Sequence, residues 1–434
     1  MTTTPERERK PRLFYGWWLV IGGFAVQNLQ SSLLFLSQGA YLIELQAAFG
    51  WSRSAISGAF SLVRLESGVL GPLQGWVIDR FGPRPVMLVG SLMFGVGFIL
   101  LGRIQNLWQF YAVFGVIAIG SGLGGFLTIH IAIAQWFVRR RTRAMSLTSV
   151  GFATGALIAP VVAWSLVTLG WRETSFISGI VILLVSLPAA QLFRSTPEAQ
   201  GLLPDGDTAE EAQLARERAS MRAHGPEINE GDFTLREAMR DRSFWFVSLG
   251  HGMALLVTST VPVHLVPYLV DQNDWSPAAT ALVFPGIMVM QIGGQITGGV
   301  LGDFYNKRLV AAGAMIGHGL AFIVLATSAS VPAVVATVML HGFSWGARGP
   351  LMMAIRADFY GRRNLGLISG WSNALTLLGS VIGPVYAGVL FDWLGTYNVA
   401  FWTLGVATAA STVFFLAART PPLPARLTDP EAFG

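Results

Sequence analysis

The sequence predicts an all-α polytopic membrane protein, with twelve transmembrane helices arranged as two pseudo-symmetric six-helix bundles. Three observations carry this. Apolar residues make up 53% of the 434 positions and charged residues only 12%, a balance foreign to soluble domains. Twelve apolar stretches reach the roughly 20 residues needed to cross about 30 Å of hydrocarbon. Landmarks in the first half also recur in the second at a nearly constant offset, which random apolar sequence would not maintain.

The spans fall at 15–43, 52–78, 85–103, 107–136, 142–168 and 172–193, then at 243–271, 277–303, 309–328, 331–356, 364–392 and 397–418. The basic start, residues 1–12, is like the opening of a signal peptide, but the apolar segment behind it has full transmembrane length and no cleavage site. It is read as a retained first helix. The chain thus divides into an N-terminal bundle (1–193), a linker (194–241), and a C-terminal bundle with a short tail (242–434). The linker is rich in charge, Pro and Gly and carries AEEAQLARER at 209–218, which predicts one short surface helix and no folded domain.

Of the 29 Lys and Arg residues, 24 fall on the side of the termini or at its boundary. Arg53, Arg103 and Arg172 fall on the other side, and Arg64 and Arg348 lie within spans. This asymmetry places both termini and the linker in the cytoplasm of a cell whose inner (plasma) membrane holds the protein. The basic balance is therefore topological, scattered over short loops, and gives no ground for a nucleic-acid partner. Absence of Cys excludes disulfides and thiolate metal sites. No metal-ligand spacing occurs. The Gly-rich run Gly120–Gly125 lacks the Lys-Ser or Lys-Thr of a phosphate-cradling loop, so no cofactor and no ATP site are expected.

The repeat is specific. Gly75 to Asp79 with Arg84 answers to Gly299 to Asp303 with Arg308, and Gly155 to Pro160 answers to Gly379 to Pro384, all at one offset. Asp79 ends span 2, with Arg80 and Arg84 as partners within one turn. Gly82 permits the reversal, and Pro83 and Pro85 stiffen it. The runs around Gly151 and Gly155, and around Gly379 and Gly383, suit close helix packing, static or hinged, with Pro160 and Pro384 able to kink their helices.

The pattern Gly75-x-x-x-Asp79-Arg80-x-Gly82-x-Arg84 resembles the signature loop of the major facilitator superfamily, with a degenerate copy after span 8. Phe49-Gly-Trp-Ser-Arg53, Gly170-Trp-Arg172 and the stretch from Gly383-Pro384 to Asp392 are similar to the bacterial monocarboxylate transporter and oxalate:formate antiporter branch. The likeness implies the major facilitator fold, with helices 1, 4, 7 and 10 lining a central cavity. It also implies that Asp79 meets the N-terminus of a helix from the other half and latches the cytoplasmic side, the dipole contributing about 0.3 to 1 kcal/mol. Phe304 stands where the second copy would carry its second basic residue, so a latch at Asp303 is expected to be weaker. The best-known branch members place a basic residue in helix 8, and residues 277–301 hold none.

Ionisable groups within spans cost roughly 2.5 to 3.5 kcal/mol each at a helix centre and mark function. Arg348 shares a stripe of span 10 with His341, Ser344 and Met352, and Thr260, His264 and Tyr268 form another on span 7. Gln27, Ser31 and Gln38 share a face of span 1 flanked by Asn28, and span 4 adds Thr128 and His130. Arg348 is the expected carboxylate anchor, its fork of donors matching two oxygens. The alternative is an arginine bonded to carbonyls of a helix break around Gly346 and Gly349-Pro350. Arg64 falls on a small-residue face, and Glu66 is left on an apolar one, where it could carry a coupling proton, as could His264. His130, His251 and His318 suit packing.

These residues predict secondary transport of a small organic anion, a monocarboxylate, by a monomer in the bilayer, driven by protons or by anion exchange. The alternative within transport is efflux of neutral or amphipathic compounds through Met-bearing cavity helices. A membrane sensor lacks an output domain here, and an enzyme lacks a nucleophile with its base.

Overall fold

A computed structural model describes residues 13–220 and 231–428. Its twelve long helices are helix 1 (Gly16–Phe49), helix 2 (Arg53–Val69 continued by Gly71–Phe81), helix 3 (Pro83–Leu101), helix 4 (Leu107–Trp136), helix 5 (Arg141–Leu169) and helix 6 (Trp171–Leu192). Helix 7 (Arg242–Val270), helix 8 (Val283–Phe304), helix 9 (Lys307–Thr327), helix 10 (Val331–Tyr360), helix 11 (Leu365–Leu394) and helix 12 (Asn398–Ala417) follow. No strand occurs among the described residues. Ten of the helices are long and apolar enough to cross a membrane. The other two have physical reasons to fall short. Helix 2 is interrupted at Leu70, before Pro72, and helix 10 carries four ionisable residues, His341, Arg348, Arg356 and Asp358, besides Tyr360.

Local chemistry sets the reversals. Gly82 and Gly170 take φ of +81° and +84°, a region that favours glycine, and Pro83 starts helix 3 where no amide hydrogen is needed. Helix 1 is not regular throughout: a π-helical stretch spans Gln30–Phe35 before the helix resumes at Gln38.

The small-residue runs pack within each half. A Cβ on Gly151 would lie 2.2 Å from the Phe24 carbonyl, and one on Gly379 would lie 2.1 Å from the Gly252 carbonyl, so helices 1 and 5, and helices 7 and 11, touch backbone to backbone at related places. Between the halves, helix 2 meets helix 11 at Gly75 and Gly366, where an added Cβ would sit 2.0 Å from a carbonyl oxygen, and helix 5 meets helix 8 at Ser146 and Gly299. All the described hydrogen bonds between the halves lie toward the end carrying the basic turns, Gln295 to Ser149 reaching deepest. The basic end is therefore sealed.

The linker does form the helix expected of it, Ala209–Ser220, but its flanks are docked. Asp205 accepts hydrogen bonds from the backbone amides of Val138, Arg139 and Arg140 at 3.0, 2.9 and 3.0 Å. Asp232 does the same for Arg362 and Arg363 at 2.9 and 3.0 Å. The matched turns after helices 4 and 10 expose helix-start amides that need acceptors, and the linker supplies one carboxylate to each.

Candidate functional site

Arg348 lies on helix 10, which runs continuously through Gly346 and Pro350. The residue is 1% exposed, and its Nε and Nη1 have no hydrogen-bond partner. Long helical side chains lean toward the helix N-terminus, which carries this guanidinium back over Ser344 toward His341. His341 stands about two turns before Arg348 on the same helix, and His318 of helix 9 meets the His341 ring. Nearer the basic end, the guanidinium of Arg356 meets His251 Nδ1 at 3.2 Å. Five nitrogen bases from three helices thus share one buried region, and no described ion pair brings a carboxylate to Arg348 or Arg356. A buried guanidinium with idle donors is an anion receptor awaiting its anion.

Several of the other expected binding residues are engaged by the protein itself, whereas Ser31 Oγ and Gln27 Nε2 are buried without a partner. His264 Nε2–H donates to the Pro384 carbonyl at 2.9 Å, across to helix 11, and its Nδ1 meets the Tyr397 hydroxyl at 3.3 Å. Tyr268 donates to the Leu325 carbonyl at 2.5 Å. His130 is held by the Phe126 carbonyl at 2.8 Å and by Ser149 Oγ at 3.1 Å, a packing histidine in this geometry. Asn28 donates to Thr154 at 3.0 Å, and Ser31 faces Gly155 of helix 5. Gln27 is buried with its Nε2 unsatisfied. Helix 8, where no basic residue stands, contributes Gln291 and Gln295, each with an unsatisfied Oε1. Arg64 and Glu66 lie on helix 2, and their side chains fall outside the described residues.

At the basic end, Asp79 reaches the start of helix 11, accepting from the amides of Gly366 at 2.9 Å and Leu367 at 2.7 Å. Its expected local partners are elsewhere: Arg84 donates to Gln191 of helix 6, and Arg80 is exposed. The helix N-terminus satisfies the carboxylate in their place. Asp303 makes the related contact with the start of helix 5, accepting from Thr142 at 3.0 Å and Arg143 at 3.3 Å. Arg143 Nε adds a charge contact at 3.4 Å while its guanidinium lies over the Phe304 ring, so the opposite half brings the cation that the second loop copy lacks. Arg308 instead joins helix 9 to the Ala418 carbonyl after helix 12.

The sequence reading missed one group entirely. Asp358, at the end of helix 10, binds Arg141 at the start of helix 5 and Lys307 Nζ of helix 9 at 2.6 Å, with all three side chains no more than 5% exposed. Arg141 also donates to the Phe137 carbonyl at 3.0 Å. Gln135 and Arg362 exchange side-chain-to-carbonyl bonds across the same interface at 2.7 and 2.6 Å.

The Major Facilitator Superfamily profile matches residues 19–267 and 247–433. Monocarboxylate transporter 13 of Bos taurus is 26% identical over 420 residues, covering 94% of this chain and 90% of that one. The probable sulfoacetate transporter SauU of Cupriavidus necator is 28% identical over 385 residues, covering 85% and 86%. Among solved structures, the E. coli fucose:proton symporter FucP superposes with a TM-score of 0.71 at 14% identity, covering 95% of this chain and all of that one. The human organic anion transporter MFSD10 (TETRAN) gives 0.65 at 18%, covering 92% and 98%. Two consecutive profile matches spanning nearly the whole chain, on a fold of twelve helices in two halves, establish that it belongs to the Major Facilitator Superfamily and is a multi-pass membrane transporter, not an enzyme.

Proposed function

We propose that the protein is a secondary active transporter of a small organic anion, a monocarboxylate, and that Arg348 anchors the carboxylate. The observation that carries this is the buried guanidinium with two unpartnered nitrogens amid imidazoles and no described carboxylate contact. The relatives named for monocarboxylate and sulfoacetate transport support the same substrate class. The two bundles, 1–193 and 242–434, rock about the midplane and expose the site to each side in turn. Asp79, Asp303 and the Asp358 cluster seal the basic end in one state, and the docked linker follows both bundles. The excess of Lys and Arg at that end supports a cytoplasmic placement of both termini, in the cell's inner membrane. Proton symport or anion exchange supplies the drive.

Thermal unfolding of the purified protein with lactate, acetate or sulfoacetate tests the anchor. A ligand at about 100 times its Kd stabilises by roughly 2.7 kcal/mol, a readable rise in Tm. Arg348→Gln should abolish the rise while leaving a monodisperse protein. Stabilisation by apolar or neutral compounds and by no carboxylate would move the function to amphipathic efflux.

A further inference from the structure

His318 of helix 9 and His341 of helix 10 approach through their Nδ1 atoms at 3.1 Å, both rings wholly buried. A hydrogen bond between two Nδ1 atoms requires one to carry hydrogen and the other to be bare. In the neutral pair, the donating ring therefore has a bare Nε2 and the accepting ring an Nε2–H. Neither Nε2 has a partner. The pair thus holds one unused lone pair inside the protein, about two turns along helix 10 from the Arg348 cation.

We infer that the His318–His341 pair is the proton site of this transporter, taking up one proton when a carboxylate occupies Arg348. The inference rests on the proposed anion transport. While the site is empty, the Arg348 cation repels an added proton. A bound carboxylate cancels that charge, and the bare Nε2 accepts a proton from solvent, giving an imidazolium whose Nδ1–H remains donated to the neutral partner. When the carboxylate leaves on the other side, the repulsion returns and the same proton is lost to that side. Anion and proton then cross together without net charge, and each raises the affinity for the other.

Among the described side chains, the surroundings of this pair offer no other free proton acceptor. His341 contacts the rings of Phe322 and Trp345, which offer no proton acceptor. On helix 7, His251 is bonded to Arg356, and the more distant His264 and Tyr268 are bonded to helix 11, Tyr397 and the Leu325 carbonyl. Arg348 and Arg356 are the cations on helix 10 itself. Asp303 of helix 8, Asp358 of helix 10, Lys307 and Arg308 of helix 9, and Arg141 and Arg143 of helix 5 are committed at the basic end. His130 of helix 4 is bonded to Phe126 and Ser149. Asp392 of helix 11 is at the opposite end, and helix 12 carries no charged group.

The test uses full-length protein in proteoliposomes with radiolabelled lactate, comparing the parent with His341→Gln and His318→Gln. In the parent, a tenfold proton gradient should sustain about tenfold lactate accumulation. His318→Gln should keep lactate counterflow without a gradient, and both variants should accumulate to a ratio near one. In lightly buffered detergent solution, lactate should draw a proton from the medium with the parent and none with the variants. Variants that accumulate lactate like the parent, or that still take up the proton on binding, overturn the assignment while leaving anion transport standing. A parent without lactate counterflow overturns the assignment and the lactate reading together. Two variants on different helices guard against one failing to fold, and monodispersity with parental Tm qualifies each.

Discussion

Replacing Asp358 with asparagine should unseal the basic end. Among the described residues, this carboxylate is the anion bound to both Arg141 and Lys307, and the three side chains are 5% exposed or less. Removing it leaves two buried cations facing each other across the two halves. Loss of one partner from a buried ion pair costs about 3 to 5 kcal/mol, because the remaining charge is desolvated without compensation. Arg141 keeps its bonds to the Phe137 and Ala134 carbonyls, which soften the cost without removing it. When the halves part, water reaches the stranded cations, so the penalty falls on the sealed state. Tenfold per 1.4 kcal/mol converts it to a shift toward opening of about a hundredfold to a few thousandfold. The chain has no Cys, so Ala354→Cys, a buried position where the halves pack, provides a single reporter thiol. Maleimide labelling of Ala354→Cys in membranes should accelerate strongly when Asp358→Asn is added, and adding Arg141→Gln should recover part of the protection. Unchanged labelling in folded protein would refute the view that this cluster holds the seal.

Asp79→Asn should raise the same labelling rate by less, since the amide oxygen still accepts and each of the two hydrogen bonds loses only its charge-assisted excess of about 1 kcal/mol, with no buried cation stranded. Gly75→Ala should also open the basic end, at a cost of about 1 to 3 kcal/mol, because its Cβ would lie 2.0 Å from the Gly366 carbonyl; Gly39→Ala, with nothing within 4 Å, should leave the rate unchanged. Outside the membrane, the Arg426 fork and the Thr234 cap hold Glu237 down to about 2. The pKa is depressed on folding, so the pair's stabilisation is present above about 4.5 and is lost as pH falls from there toward 2. Arg426→Ala should therefore lower Tm slightly at neutral pH, by an amount matching the roughly 0 to 1 kcal/mol of a surface pair, and the difference should vanish in strong acid.

What could be read from the chain followed the range of each interaction. The twelve spans and the duplication were legible because hydrophobic length and turn chemistry are local: Gly82 and Pro83 announce a reversal wherever they occur. The meeting of Asp79 with helix 11 followed only from resemblance, since its partner amides lie 287 and 288 residues away. Arg141 and Asp358 are 217 residues apart, and each sits at a span boundary, where a charge looks like ordinary topology. Arg356 was hidden for the same reason, standing at the predicted edge of span 10. His318 read as a lone packing imidazole because its partner is on another helix, whereas Arg348 stood out by the cost of its burial. The linker's Asp205 and Asp232 gave no local sign of the amides they bind, because a carboxylate in a polar segment has no pattern of its own.

The most direct measurement is counterflow of radiolabelled lactate and sulfoacetate into proteoliposomes bearing the parent protein or Arg348→Gln. Rapid exchange by the parent and near-background exchange by the folded variant is the predicted result. Equal exchange by both, or exchange of neither anion by correctly oriented parent protein, would contradict carboxylate transport anchored at Arg348.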